Sequence, residues 1–186
     1  MKRLFDFVTA TMLVILLAVP MLLVVVVVRL TSKGPALYWS NRVGRYNKIF
    51  KMSKFRSMNV DTPAVATHLM QNPKTYLTPI GAFLRNSSLD ELPQLFSILK
   101  GDMSFVGPRP ALYNQNDLID LRTEKGVHRI VPGVTGWAQV NGRDNLSISE
   151  KADLDEEYLY CQSFWFDLKI LWMTLIKIIK QENVSH

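Results

Sequence analysis

Two adjacent carboxylates, Asp90 and Glu91, sit in the segment Ser87-Ser88-Leu89-Asp90-Glu91-Leu92-Pro93-Gln94. Proline is tolerated only in the first turn of a helix, so Pro93 puts a helix start at or just after the pair. Ser88 and Glu91 also fit a capping box with Ser88 as N-cap. Either register predicts both carboxylates in the first turn, where acids commonly serve only to meet the helix dipole. The chemical alternative is that the helix N-terminus lowers the carboxylate pKa and keeps Asp90 ionised and nucleophilic. The same exposed N–H groups favour a phosphate. Carboxylate and phosphoryl group repel each other, so attack needs a cation, and Mg²⁺ bridging Asp90 and phosphate oxygens would supply one.

Basic residues stand elsewhere at positions where an anion would need them. Arg109, between Pro108 and Pro110, lies on a backbone with little freedom, which suits two-point binding of a phosphate or carboxylate. In Lys54-Phe55-Arg56, strand alternation puts Lys54 and Arg56 on one face. Arg85 and Arg143 each lie beside a turn. Any of these alone also fits a solvated surface position.

The elements that must position these residues start with an apolar run. Val8 to Val28 is 21 residues without a charge. As a helix it would extend about 31 Å at ~1.5 Å per residue, roughly the thickness of a hydrocarbon core. Asp6, the length of the run and the lack of a small-x-small site argue against a cleaved signal peptide. Pro20 lies near the middle and favours a kink. Lys2 and Arg3 precede the run, and Arg29 and Lys33 follow it, so the positive-inside bias favours the cytoplasmic side for both ends. A bent helix that enters and leaves on one face satisfies that bias, while a kinked crossing helix stays open.

The net charge of +6 over 186 residues is uneven. Residues 1–60 carry ten Lys or Arg against Asp6, and the remainder carries 12 basic and 15 acidic residues. The positive field lies next to the apolar run, which suits an anionic membrane face or a polyphosphate. No nucleic-acid motif is present. The single Cys161 excludes an internal disulfide, and the three histidines have no metal-ligand spacing.

Residues 36–39 and 49–55 read as short strands joined through 42–47, with Gly44 and Asn47 as turn residues. Residues 61–79, with three prolines, read as an irregular loop, 80–86 as a short helix, and 93–101 as a helix stopped by Gly101. Residues 101–110 and 132–136 read as turn-rich loops. Residues 149–180 read as helical with a break near Gln162-Ser163. The apolar face of its later half fits a core, with a membrane interface as the alternative.

Taken together, five blocks resemble the small bacterial sugar transferases, the monotopic phosphoglycosyl transferases of the PglC type. The blocks are residues 54–58, Leu84-Arg85, 88–95, 99–110 and 132–143, which ends in Asn141-Gly142-Arg143. They span nearly the whole chain. The resemblance implies an α+β, mostly helical fold. A re-entrant membrane helix at 1–32 would precede a cytoplasmic catalytic domain at 33–186 with membrane-interface helices and a short β-hairpin. It implies that a UDP-sugar and polyprenol phosphate yield polyprenol diphosphate-sugar and UMP, at the cytoplasmic face of the bacterial inner membrane. Asp90 would attack the β-phosphate, Glu91 would accept a proton or aid positioning, and Mg²⁺ would sit at Asp90. Lys54, Arg56, Arg85, Arg109 and Arg143 would bind substrate. Membrane phospholipid is an implied partner, nucleic acid is not, and a homodimer stays open. The chain departs from the family at Val19-Pro20, where a serine usually precedes the proline, and at Arg42-Val43-Gly44, where Arg-Pro-Gly is usual.

Two other classes compete. A hydrolase would use Asp90 and Glu91 as an acid/base pair, but adjacent helical residues point ~100° apart, which poorly suits flanking one glycosidic bond. A non-enzymatic membrane module would use only the basic surface.

Overall fold

The computed structural model describes residues 1–63, 72–142 and 145–180, and its apolar run is broken in two. Helix α1 covers Lys2–Leu16 and α2 covers Ala18–Thr31, with a bend of 61° at Leu17. The break falls three residues before Pro20, because the proline then occupies the first turn of α2, where its missing N–H costs nothing. No single helix among the described residues is long and apolar enough to cross a membrane, whereas the bent pair is by length and composition.

One stripe of α1 faces protein. Asp6 and Ala10 are buried, and Leu13, Val14 and Leu17 continue the same helical face. The stripe packs on Met52, Leu95, Ile98 and Met103. The other face of α1 exposes Leu4, Phe7, Val8, Met12 and Ile15. Three polar links fix the start of α1. Lys2 pairs with Asp167 at 2.5 Å, and Asp167 also accepts from the Tyr158 hydroxyl at 2.7 Å. Arg3 donates to the carbonyls of Ile98 and Leu99, where a helix ends with unpaired acceptors. Asp6 accepts from Ser104 Oγ at 2.8 Å and from the Phe105 N–H at 3.3 Å.

Strands β1 (Leu37–Val43) and β2 (Ile49–Phe55) form an antiparallel hairpin running from Leu37↔Phe55 to Val43↔Ile49. Tyr46 and Asn47 supply the left-handed turn, with φ of 56° and 58°. Gly44, expected as a turn residue, has an ordinary φ of −105° and instead leaves room for the Phe50 ring. Helix α3 (Gly81–Asn86) follows, then α4 (Gln94–Lys100), whose end at Gly101 is left-handed with φ 94°. The loop expected at 61–79 is described only at its ends, and residues 73–76 form a 3-10 turn.

Two stretches expected as loops contain short strands. β3 (Ser104–Val106) and β4 (Gly133–Thr135) pair in parallel, across a connection that includes α5 (Asn116–Glu124). Glycine makes the approach possible, since a Cβ on Gly133 would lie 2.1 Å from the Gly107 nitrogen. Three-residue strands carry too little alternation to announce themselves.

Helices α6 (Trp137–Val140), α7 (Ile148–Cys161) and α8 (Phe164–Lys180) complete the chain, with the expected break at Gln162-Ser163. Helix α8 has one face in the core, as expected, and a second, apolar face that is exposed. Ile170 is fully buried with Val106, Val140 and Tyr158, while Trp165, Trp172, Leu175 and Ile178 are exposed. The fold is α+β and mostly helical, with two small sheets.

Candidate active site

The carboxylate pair does not lie in the first turn of an α-helix. Leu89–Glu91 form a 3-10 turn that precedes α4, and Pro93 flanks the start of that helix. The expected capping box is absent. Ser88 adopts a left-handed conformation with φ 56° and makes no side-chain cap, because Glu91 is drawn away by two cations. The tight turn presents Asp90 and Glu91 toward β2 and the segment after β3.

Lys54 arrives from the end of β2. Its Nζ lies 2.6 Å from Glu91 Oε1 and 3.8 Å from Asp90 Oδ2. Arg109 Nη2 reaches the same Glu91 oxygen at 3.2 Å. Arg85 comes from α3, close enough to act electrostatically on both carboxylates. Lys54, Arg85 and Arg109 are therefore gathered at the dyad. Arg56 takes another direction: it is buried and donates from Nε to the Pro35 carbonyl at 2.8 Å, bracing the turn at Gly34. Arg143 lies outside the described residues.

The two carboxylates differ in acidity. Burial raises the Asp90 pKa, and the neighbouring Glu91 charge adds to that effect, against the lowering by Lys54, Arg85 and Arg109. This reverses the expectation that a helix terminus keeps Asp90 low, since the turn is not a helix end and the residue is only 5% exposed. Burial also acts to raise Glu91, but the charges and hydrogen bonds of Lys54 and Arg109 outweigh it and hold Glu91 well below the usual carboxylate range. Glu91 is the fixed anion, and Asp90 is the carboxylate whose charge a ligand would change.

The Arg109 segment is held from two sides. Arg122 donates to the Arg109 carbonyl at 2.8 Å, and its guanidinium forms two bonds to Asp155 Oδ2, at 2.9 and 2.5 Å. Arg42 donates to the Pro110 carbonyl at 3.2 Å. The flanking prolines narrow the backbone freedom of Arg109, and the two guanidiniums fix its position. Beside it opens a small cavity lined by Gly44, Arg109, Ile119, Arg122 and His128. Arg42, Arg122 and Asp155 carried no sequence signal as site-supporting residues. Asp155 fell within the segment read as helical at 149–180, Arg122 lay in a stretch given no element, and their pairing is a tertiary fact.

For a metal, the donor set is narrow. Among the described residues no group of three or more His, Cys, Asp or Glu is placed to hold an ion. Glu91 is engaged by Lys54 and Arg109, which leaves Asp90 as the available carboxylate. One carboxylate fits the mode in which Mg²⁺ is held jointly with substrate phosphates and water.

The chain belongs to the bacterial sugar transferase family, whose model matches residues 1–181. It is 41% identical to an uncharacterized sugar transferase, EpsL, of Bacillus subtilis, over 100% of this chain and 91% of that one. It is 40% identical to the UDP-glucose:undecaprenyl-phosphate glucose-1-phosphate transferase of Escherichia coli, over 95% of this chain. An undecaprenyl-phosphate glucose phosphotransferase of Komagataeibacter xylinus is 38% identical over 98% of this chain. The chain spans only 40% and 36% of the length of these last two.

Proposed function

We propose that the protein transfers a phosphosugar from a UDP-sugar to polyprenol phosphate, such as undecaprenyl phosphate. The observation that carries this reading is the buried dyad: one carboxylate held as an anion by Lys54 and Arg109, beside a second that is not so held. The names of two relatives, both transferases acting on undecaprenyl phosphate, support it.

Asp90 in its ionised form attacks the β-phosphorus of the donor. A carboxyl–phosphorus bond forms, the bond from that phosphorus to the bridging oxygen breaks, and UMP leaves with the oxygen. An oxygen of polyprenol phosphate then attacks the same phosphorus, and the Asp90 carboxylate leaves unchanged. Bound Mg²⁺ would neutralise phosphate charge, with Asp90 as its protein ligand. Arg109 orients the phosphates by charge-assisted hydrogen bonds. Lys54 holds Glu91 in place and lowers the cost of a second charge at Asp90. Arg85 adds positive potential, and Arg56 and Arg143 remain proposed substrate contacts.

Residues 1–32 are proposed as a re-entrant membrane helix, with 33–186 on the cytoplasmic face of the bacterial plasma membrane. The 61° bend and the basic residues at both ends support this. Exposed Phe83, Phe96, Trp165 and Trp172 support interfacial contact with phospholipid. A cysteine placed before Lys2 that labelled from the periplasm would overturn that topology.

The test of function is UMP release from a panel of UDP-sugars with Mg²⁺ and undecaprenyl phosphate, comparing wild type with Asp90→Asn. Release that requires the lipid phosphate and vanishes in the variant is expected, and it names the donor sugar. Release that persists in the variant would move the nucleophile elsewhere.

A further inference from the structure

The hairpin carries a second cation toward the site besides Lys54. Tyr38 lies directly opposite Lys54 in the register, and Ser40 and Arg42 follow at alternate positions of β1. Directly opposed residues of an antiparallel pair share a face, so Lys54 and Arg42 project from the same side of the hairpin. Lys54 meets the Glu91 oxygen that Arg109 also contacts, and Arg42 meets the carbonyl of Pro110, the residue after Arg109.

Arg42 is not paired as a structural arginine usually is. Its partners are neutral: Ser40 Oγ at 3.1 Å and the Pro110 carbonyl at 3.2 Å. Among the described residues it forms no ion pair, although it is half-buried. Glu91, a carboxylate that acts on it electrostatically, already serves Lys54 and Arg109. Burial first, and then repulsion from the Arg109 guanidinium, push Arg42 down to about 10. Two guanidiniums that repel each other in this way, one without a carboxylate, are favourable where an anion bridges them. A diphosphate diester carries a negative charge on each phosphate and offers oxygens to both forks.

We propose that Arg42 is a further donor-binding residue, and that Arg42 and Arg109 together receive the diphosphate of the nucleotide sugar. The inference rests on the UDP-sugar reading above. Ser40 and Pro110 aim the Arg42 fork, and Lys54 and Glu91 aim that of Arg109.

The test is UDP binding to the full chain in lipid nanodiscs, measured calorimetrically for wild type, Arg42→Gln and Arg42→Lys, with the melting temperature of each. Loss of one charge-assisted contact predicts a Kd for UDP raised about 10- to 100-fold in Arg42→Gln, and by less in Arg42→Lys. The salt dependence of binding should also become shallower in Arg42→Gln. An unchanged Kd with a lowered melting temperature would overturn the proposal and leave Arg42 as a brace for Pro110. Should Arg42→Gln not fold, Arg42→Lys decides. An ammonium cannot bond Pro110 and span to a phosphate as the planar fork does, so an unchanged Kd there would also overturn it. Wild type that does not bind UDP would instead sink the nucleotide-sugar reading itself.

Discussion

Two buried carboxylate clusters meet at Arg109, one at its side chain and the other at its carbonyl. In the first, Asp90 and Glu91 share Lys54 and Arg109, and a single Glu91 oxygen serves both cations. In the second, Asp155 is fully buried and closed by the two-nitrogen grip of Arg122. The second cluster holds Asp155 through Oδ2 alone, leaves its buried Oδ1 without a hydrogen-bond partner, and acts through the backbone it holds. Burial raises the pKa of Asp90 in the first and of Asp155 in the second, with the neighbouring cations acting against it in both. Burial alone therefore does not separate support from chemistry. What separates them is how the cations are committed: Arg122 is given over to Asp155 and the Arg109 carbonyl, whereas Lys54 lies 2.6 Å from Glu91 and only 3.8 Å from Asp90.

The largest expected effect tests Asp90, which Lys54 reaches only at 3.8 Å. Asp90→Asn should abolish transfer, by about 10⁴-fold or more, with no loss of melting temperature. A folded-state pKa raised by burial means that the native protein holds this proton more tightly than the unfolded chain does. Ionised Asp90 thus disfavours the fold as pH rises, and the neutral amide removes that cost. Lost stability in this variant, measured by thermal denaturation, would break the comparison.

The Arg122–Asp155 cluster should behave in the opposite way. Asp155→Ala leaves Arg122 buried without its partner and should cost about 3–5 kcal/mol of stability. Replacing both, as Asp155→Leu with Arg122→Met, should recover much of that stability while transfer stays low, because the Arg109 carbonyl loses its donor. Denaturant unfolding and UMP release on the same samples read the two effects separately.

A smaller effect is expected at Arg109 itself. Arg109→Lys keeps the charge and loses the fork, so KM for the UDP-sugar should rise about 10-fold with a lesser change in kcat. The smallest effect concerns pH. The Glu91 pKa is depressed in the folded state, so this group stabilises the fold above its unfolded pKa, and that contribution fades as pH falls toward the folded value. Glu91→Gln should therefore be less stable than wild type at neutral pH, and the difference should shrink in acid. A constant difference across pH would show that Lys54 and Arg109 do not hold Glu91 as described.

Much of the site was legible because its residues sit in short, compositionally marked segments. The carboxylate pair, Lys54 and Arg109 were all readable as charged groups beside prolines, glycines or a strand end. The hairpin followed from alternation, and the α7–α8 break from Gln162-Ser163. The capping box misled because its local pattern is satisfied equally well by a 3-10 turn, and the tertiary pull of Lys54 and Arg109 on Glu91 decides between them. Alternation grouped Lys54 with Arg56, but Arg56 lies one residue beyond the end of β2, where the strand rule no longer governs side-chain direction. The β3–β4 pair was hidden because its cause is close backbone approach at Gly107 and Gly133, not a side-chain period.

The inner stripe of α1 has a practical consequence. Because Ala10 and its neighbours fill the same core as Met52, Ile98 and Met103, this segment is not a removable tether. Trimming residues 1–16 to obtain a detergent-free protein would strip the cover from α4 and release the carbonyls that Arg3 occupies, a few residues from the dyad. Purification strategies should keep the segment and supply an amphiphile. A water-soluble version should be sought by recolouring the outward positions Leu4, Phe7, Val8, Met12 and Ile15 with polar residues, leaving the inner stripe untouched.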